Sequence, residues 1–106
     1  MATQVDSGTK AADGSEQTLT TQNSVATYVL LVDTTNMVDG DAIELRAKIK
    51  VNTAASNYRL ADVATIPNAQ SRTAKLSIPY LCAGVTFTLK QTAGTNRNYD
   101  WGVFSA

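Results

Sequence analysis

The sequence predicts an all-β protein, an antiparallel β-sandwich or barrel of about seven strands. Several segments alternate apolar and polar residues, which is the period of two that a pleated strand imposes. Clusters of turn-forming residues separate these segments at short intervals. No window shows the apolar repeat at three and four residues that is typical of an amphipathic helix, so we expect almost no helix.

The clearest strand covers residues 41–51. Its apolar side chains fall on one face and its charged side chains on the other, without a break. This pattern is typical of a strand with one face in the core and one face in water. The apolar face consists of Ile43, Leu45, Ala47, Ile49 and Val51, and the polar face of Glu44, Arg46, Lys48 and Lys50.

The first sixteen residues are small and polar, and Val5 is the one large aliphatic residue after the initiator. Such a segment buries too little apolar surface to offset the entropy of ordering it in a lone molecule. We therefore expect residues 1–16 to form an extended arm that lies on a neighbouring subunit with Val5 in the contact. Residues 17–106 would then form the antiparallel β domain.

After a first strand at residues 17–21, residues 24–33 form a nearly continuous apolar run. A run of this kind indicates a central strand that is covered on both faces, or a strand at a subunit contact. Val29 and Leu31 are therefore predicted interface residues. Residues 34–40 follow as a turn, in which Asp39-Gly40 offers the positive φ that tight connections require.

The second half of the chain adds four more candidate strands. Residues 58–66 form one that Pro67 ends. Residues 74–80 form another, in which Pro79 favours an edge position or the strand's end. Its apolar face consists of Ala74, Leu76, Ile78 and Tyr80, which alternate with Lys75, Ser77 and Pro79. Residues 85–89 and 99–103 both alternate, and the Gly- and Asn-containing segment between them predicts a hairpin.

Composition narrows the classes of function. Nine basic and nine acidic residues give no net charge, so the chain has no overall field that would attract nucleic acid or an anionic membrane. No apolar run approaches the roughly twenty residues of a membrane span, and the N-terminus lacks the pattern of a secretory signal. We expect a soluble protein that is made in a cytoplasm and does not contact a membrane.

The residues that carry most enzyme chemistry are missing or isolated. There is no histidine, and the single cysteine, Cys82, has no imidazole to activate it, so a packed thiol is expected. Asp33, Asp39 and Asp41 flank one turn, where they favour turn hydrogen bonds, and their spacing does not match a calcium loop. We predict no enzyme activity, no catalytic residue, no cofactor and no metal site.

Two further groups suit ligand binding. Tyr99, Trp101 and Phe104 with Arg97 beside them suggest a platform for sugars or bases, although the alternation of Tyr99 and Trp101 with Val103 is more typical of core aromatics. The basic row of Arg46, Lys48 and Lys50, with Lys90 nearby, is more often a solvated sheet face that also discourages aggregation at a sheet edge. Its functional interpretation is contact with nucleic acid phosphates.

The chain also resembles a known class of proteins. At residues 14–20, 29–41, 44–46, 89–97 and 99–101 it looks like small β-rich structural proteins of bacteriophage virions. The resemblance implies a non-enzymatic virion component, such as a capsid decoration protein or a minor capsid or head–tail part. Coat proteins of small RNA phages are similar in size, but they normally end in helices that pair across a dimer, whereas residues 85–106 read as β structure.

The resemblance implies location in the virion and contacts with copies of the same chain and with other virion proteins. Two alternatives remain open at this point. A genome-enclosing coat protein would assemble alone into a shell and contact nucleic acid. A carbohydrate-binding or adhesion module would be monomeric, with Trp101 exposed.

Overall fold

The computed structural model describes residues 3–106, which form eight β-strands. The all-β prediction is confirmed, with eight strands in place of about seven. The strands are β1 (Thr3–Ala11), β2 (Gln17–Gln22), β3 (Ala26–Val32), β4 (Ala42–Lys50), β5 (Arg59–Pro67), β6 (Ala74–Cys82), β7 (Gly84–Ala93) and β8 (Asn98–Ser105).

The strands form two four-stranded antiparallel sheets that pack face to face as a sandwich. One sheet has the order β1-β8-β3-β6 and the other the order β2-β7-β4-β5. We call them the β3 sheet and the β4 sheet. Each sheet keeps two edges, so the fold is a sandwich and not a closed barrel.

The pairing of the strands is nested around the β4–β5 hairpin. β4 pairs with β5, β3 with β6, β2 with β7 and β1 with β8, as in one long hairpin. Two additional pairings, β3 with β8 and β4 with β7, roll this hairpin into the two sheets. This arrangement is the eight-stranded double-sheet jelly roll.

The core lies between the inner faces of the two sheets. Alternate residues of the central strands fill it, as the period of two predicts. The largest fully buried side chains are Tyr99, Phe87, Leu30, Ile43, Leu45, Ile78, Leu89, Val32, Val85 and Val103.

The expected N-terminal arm is wrong for residues 3–11. These residues form β1, which pairs antiparallel with β8 of the same chain. Val5 packs against the core, and the Asp6 carboxylate accepts a hydrogen bond of 2.6 Å from Thr20 Oγ1. Backbone hydrogen bonds to the free edge of β8 hold this polar segment in place. The arm was predicted from the small apolar surface of the side chains alone, which leaves these backbone hydrogen bonds out. Residues 1 and 2 of the predicted arm lie outside the described residues.

The predicted hairpin of the last two strands is also wrong. β7 pairs with β2 and β4, and β8 pairs with β1 and β3, so neither strand has a free side for the other. Residues 94–97 instead carry the chain from one sheet to the other. Every connection except β4–β5 crosses between the sheets in this way.

Two local expectations fail where strands end or bulge. Val51 was expected in the core but lies just after β4 and is exposed, whereas Lys50 is buried because the Tyr58 ring and Asn23 cover it. Tyr80 is exposed because β6 bulges between the partners of Ala26 and Tyr28. The edge position expected for the strand with Pro79 is confirmed.

A buried carboxylate fixes the crossing connections at one end of the sandwich. Asp41 Oδ2 accepts hydrogen bonds from Val38 N at 3.0 Å and from Arg97 Nε, and Asp41 Oδ1 accepts one from Thr95 N at 3.1 Å. Gly94 has a φ of 82°, and a Cβ at this position would overlap the Asp41 carboxylate. Asp41 thus joins the β3–β4 connection to the β7–β8 connection.

We predict that removing residues 1–11 destabilises the sandwich. The deletion frees one side of β8 and removes Val5 from the core, so it costs several backbone hydrogen bonds at about 1 kcal/mol each and an aliphatic contact. The melting temperature should fall markedly, and a peptide of residues 1–11 added in trans should partly restore it. An unchanged melting temperature would show that β1 contributes nothing to stability.

We also predict a pH-dependent effect of Asp41→Asn. The Arg97 guanidinium, followed by the Val38 amide, lowers the pKa of Asp41 below its ordinary 3.8. A lowered pKa stabilises the folded state above the ordinary value, and this stabilisation is lost as the pH falls through the folded-state pKa. Asp41→Asn should therefore lower the urea midpoint at neutral pH, with a difference from wild type that shrinks below about pH 4.

Asp39→Asn is the matched control for this measurement. Asp39 is exposed in the same turn, and its carboxylate accepts a single hydrogen bond, from Ala69 N at 3.2 Å. We expect a much smaller loss of stability from this variant. Equal losses in the two variants, or a difference from wild type that does not change with pH, would contradict the role of the Asp41 ion pair.

Candidate subunit-contact surface

The outer face of the β3 sheet carries a short apolar strip. Along β3 the side chains of Tyr28, Leu30 and Val32 are buried in the core, whereas those of Val29 and Leu31 point outward and are half-buried. Phe104 on β8 is the register partner of Val29 and is also half-buried. We call Val29, Leu31 and Phe104 the apolar strip.

Shallow hollows lie on both sides of Phe104. One has a volume of about 180 Å³ and is lined by Val29, Ser77 and Pro79 among others. The other has a volume of about 260 Å³ and lies beside Leu31 and Gly102, which are register partners. Because Gly102 has no side chain, the strip consists of a Phe104 ridge next to a depression.

One cation and two carboxylates lie beside the apolar strip. Lys75 is exposed on β6 as the register partner of Leu31. Asp33, just after β3, and Asp100 on β8 are exposed beside the hollow at Gly102, and Asp33 N donates a 2.8 Å hydrogen bond to the Asp100 carbonyl oxygen. The strip therefore has a cation beside it on β6 and two facing carboxylates at the end where β3 stops and β8 begins.

The three predicted interface residues do not share one surface. Val29 and Leu31 lie together on the apolar strip, and their role in a contact stays a prediction. Val5 lies on the inner side of β1 and packs against the core. Phe104 was missed as part of this surface, although its alternation with Val103 already placed it on the face opposite the core.

The aromatic residues near the C-terminus do not form a platform. Tyr99 is fully buried and donates a 2.5 Å hydrogen bond to Gln91 Oε1, and this burial raises the pKa of Tyr99. Trp101 packs against the core and lies over Gly8 of β1. Phe104 projects from the other face of the sheet, and the Arg97 guanidinium is hydrogen-bonded to Asp41.

The basic row lies on the outer face of the β4 sheet, where acidic side chains accompany it. Arg46 Nε is 2.5 Å from Glu44 Oε1, and Lys48 Nζ is 2.8 Å from Glu16 Oε2. The Lys48 hydrogen bond is the main cause of the lowered pKa of Glu16. Lys50 is buried and hydrogen-bonded to Asn23. Contact with nucleic acid stays a prediction for this row, whose free positive charge is small.

The other candidate chemical groups serve local structure. Asp33 Oδ1 accepts hydrogen bonds from Thr35 N and Thr35 Oγ1, which lower the pKa of Asp33. Cys82 is buried with its Sγ 3.6 Å from the Ala26 carbonyl oxygen. Within residues 3–106, no group of three or more His, Cys, Asp and Glu side chains is placed to hold a metal ion. The same part of the chain contains no helix long and apolar enough to cross a membrane.

Comparison with known proteins gives one structural likeness. No protein-family model matches the chain, and no curated protein matches it. A chain of the 2.6 Å structure of T=1 particles derived from infectious bursal virus is similar, with 11% sequence identity and a TM-score of 0.49. The match covers 99% of this chain and 30% of that chain. With a TM-score below 0.5 it carries no argument about this chain.

Proposed function

We propose that this chain is a non-enzymatic structural protein of a virion and that it acts through contacts between its own copies. The observation that carries the proposal is the apolar strip on the outer face of the β3 sheet. Val29, Leu31 and Phe104 are adjacent there and only half covered by their own chain. A partner that covers them removes apolar surface from water, which stabilises the contact by about 25 cal/mol for each Å² buried.

The strip is able to fit a second copy of itself. The two copies face each other across a two-fold axis that lies in the plane of the contact, parallel to the strands and above the line midway between β3 and β8. Rotation about this axis places β3 of each copy over β8 of the other. Because Leu31 and Gly102 are register partners, Leu31 of each copy then lies over the depression at Gly102 of the other. Val29 and Phe104 are exchanged in the same way, so the contact is isologous.

The charges beside the strip act in both directions. The rotation brings Lys75 of each copy towards Asp100 of the other, which is attractive. Because Asp33 lies opposite Asp100, the rotation also brings Asp33 of each copy towards Asp100 of the other, which is repulsive. The affinity of the contact therefore comes from the apolar strip, and Lys75 offsets part of the repulsion between the carboxylates.

The fold is compatible with this role but does not select it. Eight-stranded jelly rolls occur in viral capsid proteins, lectins and cupins, so the argument from fold is an analogy. A lectin-like module is less well supported, because Tyr99 and Trp101 pack into the core and do not form an exposed platform. The resemblance of the sequence to phage virion proteins favours the structural class.

Within that class we propose a capsid decoration or minor capsid component of a bacteriophage. A genome-enclosing coat protein needs free cations for the phosphates of the nucleic acid. Here Arg46 and Lys48 are paired with Glu44 and Glu16, and Lys50 is buried. The basic row therefore supports an accessory role better than it supports packaging of a genome.

Two substitutions test the self-contact. Leu31→Asp should weaken self-association about tenfold or more, a loss of about 1.4 kcal/mol, because it places a carboxylate in the apolar contact. Lys75→Asp should also weaken self-association, because it replaces the cation that faces Asp100 of the other copy by a further carboxylate. Sedimentation equilibrium measures the two dissociation constants against that of the wild type.

Lys90→Asp is the control, since it makes the same charge change as Lys75→Asp on the outer face of the opposite sheet. It should leave self-association unchanged. Association of Leu31→Asp as tight as that of the wild type would contradict the arrangement. A wild-type protein that remains monomeric up to about 1 mM, where a contact is worth only about 4 kcal/mol, would contradict the proposed function itself.

A further inference from the structure

A second apolar surface lies at one end of the sandwich, away from the apolar strip. Three connections meet there: residues 23–25 between β2 and β3, residues 51–58 between β4 and β5, and Ala83 between β6 and β7. The three most exposed large hydrophobic side chains of the described chain belong to this end. They are Val51, Leu81 and Val25, which are 72%, 70% and 58% exposed.

The strand register places these side chains around one point. Ala26 is the partner of Cys82, which puts Val25 opposite Ala83 on the side of the β3 sheet. Lys50 is the partner of Gly84, which puts Val51 opposite Ala83 on the side of the β4 sheet. Leu81 lies two residues before Ala83, next to the bulge of β6. We call Val25, Val51 and Leu81 the apolar end.

The connections at the two ends of the sandwich differ sharply in charge. Residues 23–25, 51–58 and 79–83 contain no Asp, Glu, Lys or Arg. The connections at the opposite end contain seven charged residues: Asp13, Glu16, Asp33, Asp39, Asp41, Arg72 and Arg97. Exposed apolar side chains are normal when they are scattered, but here they are grouped on connections without charged side chains, with Lys50 and Arg59 at the borders of the longest one.

The apolar end is anchored to the rest of the fold. Tyr58 closes the longest of its connections and donates a hydrogen bond of 3.3 Å to the Gln22 carbonyl oxygen. The Tyr58 ring lies beside Lys50 Nζ, 5.9 Å from the ring centroid, and packs closely against Gly84. The apolar side chains are thus presented from connections that this ring ties to β2, β4 and β7.

We propose that the apolar end is a second site of contact between copies of this chain, an inference that rests on the proposed function for its setting. The polar side chains there are amides and hydroxyls, among them Ser24, Thr53, Ser56 and Asn57. Each of these groups both donates and accepts hydrogen bonds, so two identical surfaces pair without like-charge repulsion. An anionic membrane is a poorer partner, because it attracts clusters of Lys and Arg, whereas here Arg59 is exposed beside the segments and Lys50 is buried.

The area of the apolar end is that of a weak contact, which becomes effective when many copies make it at once. The molecule measures 42 × 27 × 19 Å, and strands of nine or ten residues account for the longest dimension. An end of 27 by 19 Å offers roughly 500 Å² per partner, less than the roughly 800 Å² of a standard interface. Such a contact is weak by itself, but many copies held in one lattice add up to strong attachment.

A contact at the apolar end would also change what the copies are able to build. An isologous contact through the apolar strip closes into a dimer and stops there. A second, separate contact joins dimers to one another. The proposed function needs self-contact, whereas growth beyond the dimer needs the apolar end.

The test compares Val51→Lys/Leu81→Lys with Val38→Lys. Val38 is a matched control, because it is an exposed valine, 48% exposed, in a connection at the opposite end. Sedimentation velocity over a range of concentrations should show wild type and Val38→Lys forming species larger than dimers. The double variant should stop at dimers, with the association of dimers weakened at least tenfold, because the introduced ammonium groups would be buried or repel one another.

Far-UV circular dichroism and the urea midpoint establish that each variant is folded, and Val25→Lys provides an independent substitution at the same end. Assembly of the double variant as in wild type would overturn the inference and leave the strip contact standing. A wild type that stops at dimers would also overturn it, whereas a wild type that remains monomeric removes the proposed function as well. If the wild type binds vesicles of phosphatidylserine and phosphatidylcholine and does not grow beyond dimers, the partner of the apolar end is a membrane and not a second copy.

Discussion

The ion pair between Asp41 and Arg97 is the constraint on which the arrangement of the two sheets depends. It joins the connection that leaves β3 to the connection that leaves β7, and both connections pass between the sheets. The Asp41 main chain continues the network, since its carbonyl oxygen accepts a 2.7 Å hydrogen bond from Asn68 N in the β5–β6 connection. Three of the four connections at this end are therefore fixed relative to one carboxylate. A buried charge with this many donors costs much to leave unpaired, so the network holds the ends of the strands in place.

With the connections fixed, the alternation along each strand decides what faces the core and what faces outward. This is why the sequence predicted β4 and β7 well, whereas the edge position of β6 was predicted from Pro79, which cannot donate to a ladder. Ile43, Leu45 and Ala47 are buried in turn, and so are Val85, Phe87 and Leu89, because regular pairing on both sides keeps the period of two. The pattern failed at Val51 and Tyr80, where a strand ends and where a strand bulges. Periodicity carries no information about either event.

Long-range pairing was the larger gap between sequence and structure. Residues 3–11 looked like an arm because their side chains are small, yet their backbone completes the β3 sheet. The last two strands looked like a hairpin because a turn-rich segment separates them, yet that segment crosses between sheets. Nothing within either segment distinguishes the two outcomes, since the deciding factor is which other strand has a free side. In the candidate surface, Val29 and Leu31 could be found because a central strand is apolar on both faces. Phe104 was missed because it was grouped with Tyr99 and Trp101, although it lies on the opposite face of the same strand.

The nested pairing of the strands also explains why two separate surfaces are left for contacts. Rolling one long hairpin into two sheets puts β3 and β8 side by side, so the outward side chains of residues far apart in sequence form the apolar strip. The same rolling gathers one set of connections at each end. The end that holds the Asp41 network is rich in charge because its connections need carboxylates to satisfy the backbone amides of turns. At the other end the turns use no carboxylate: Ala83 alone joins β6 to β7, and in residues 51–58 the Asn52 amide oxygen accepts a hydrogen bond of 3.0 Å from Ala54 N. Its apolar side chains therefore add nothing to the turns, and their exposure is a cost in the isolated molecule that a contact with another copy would relieve.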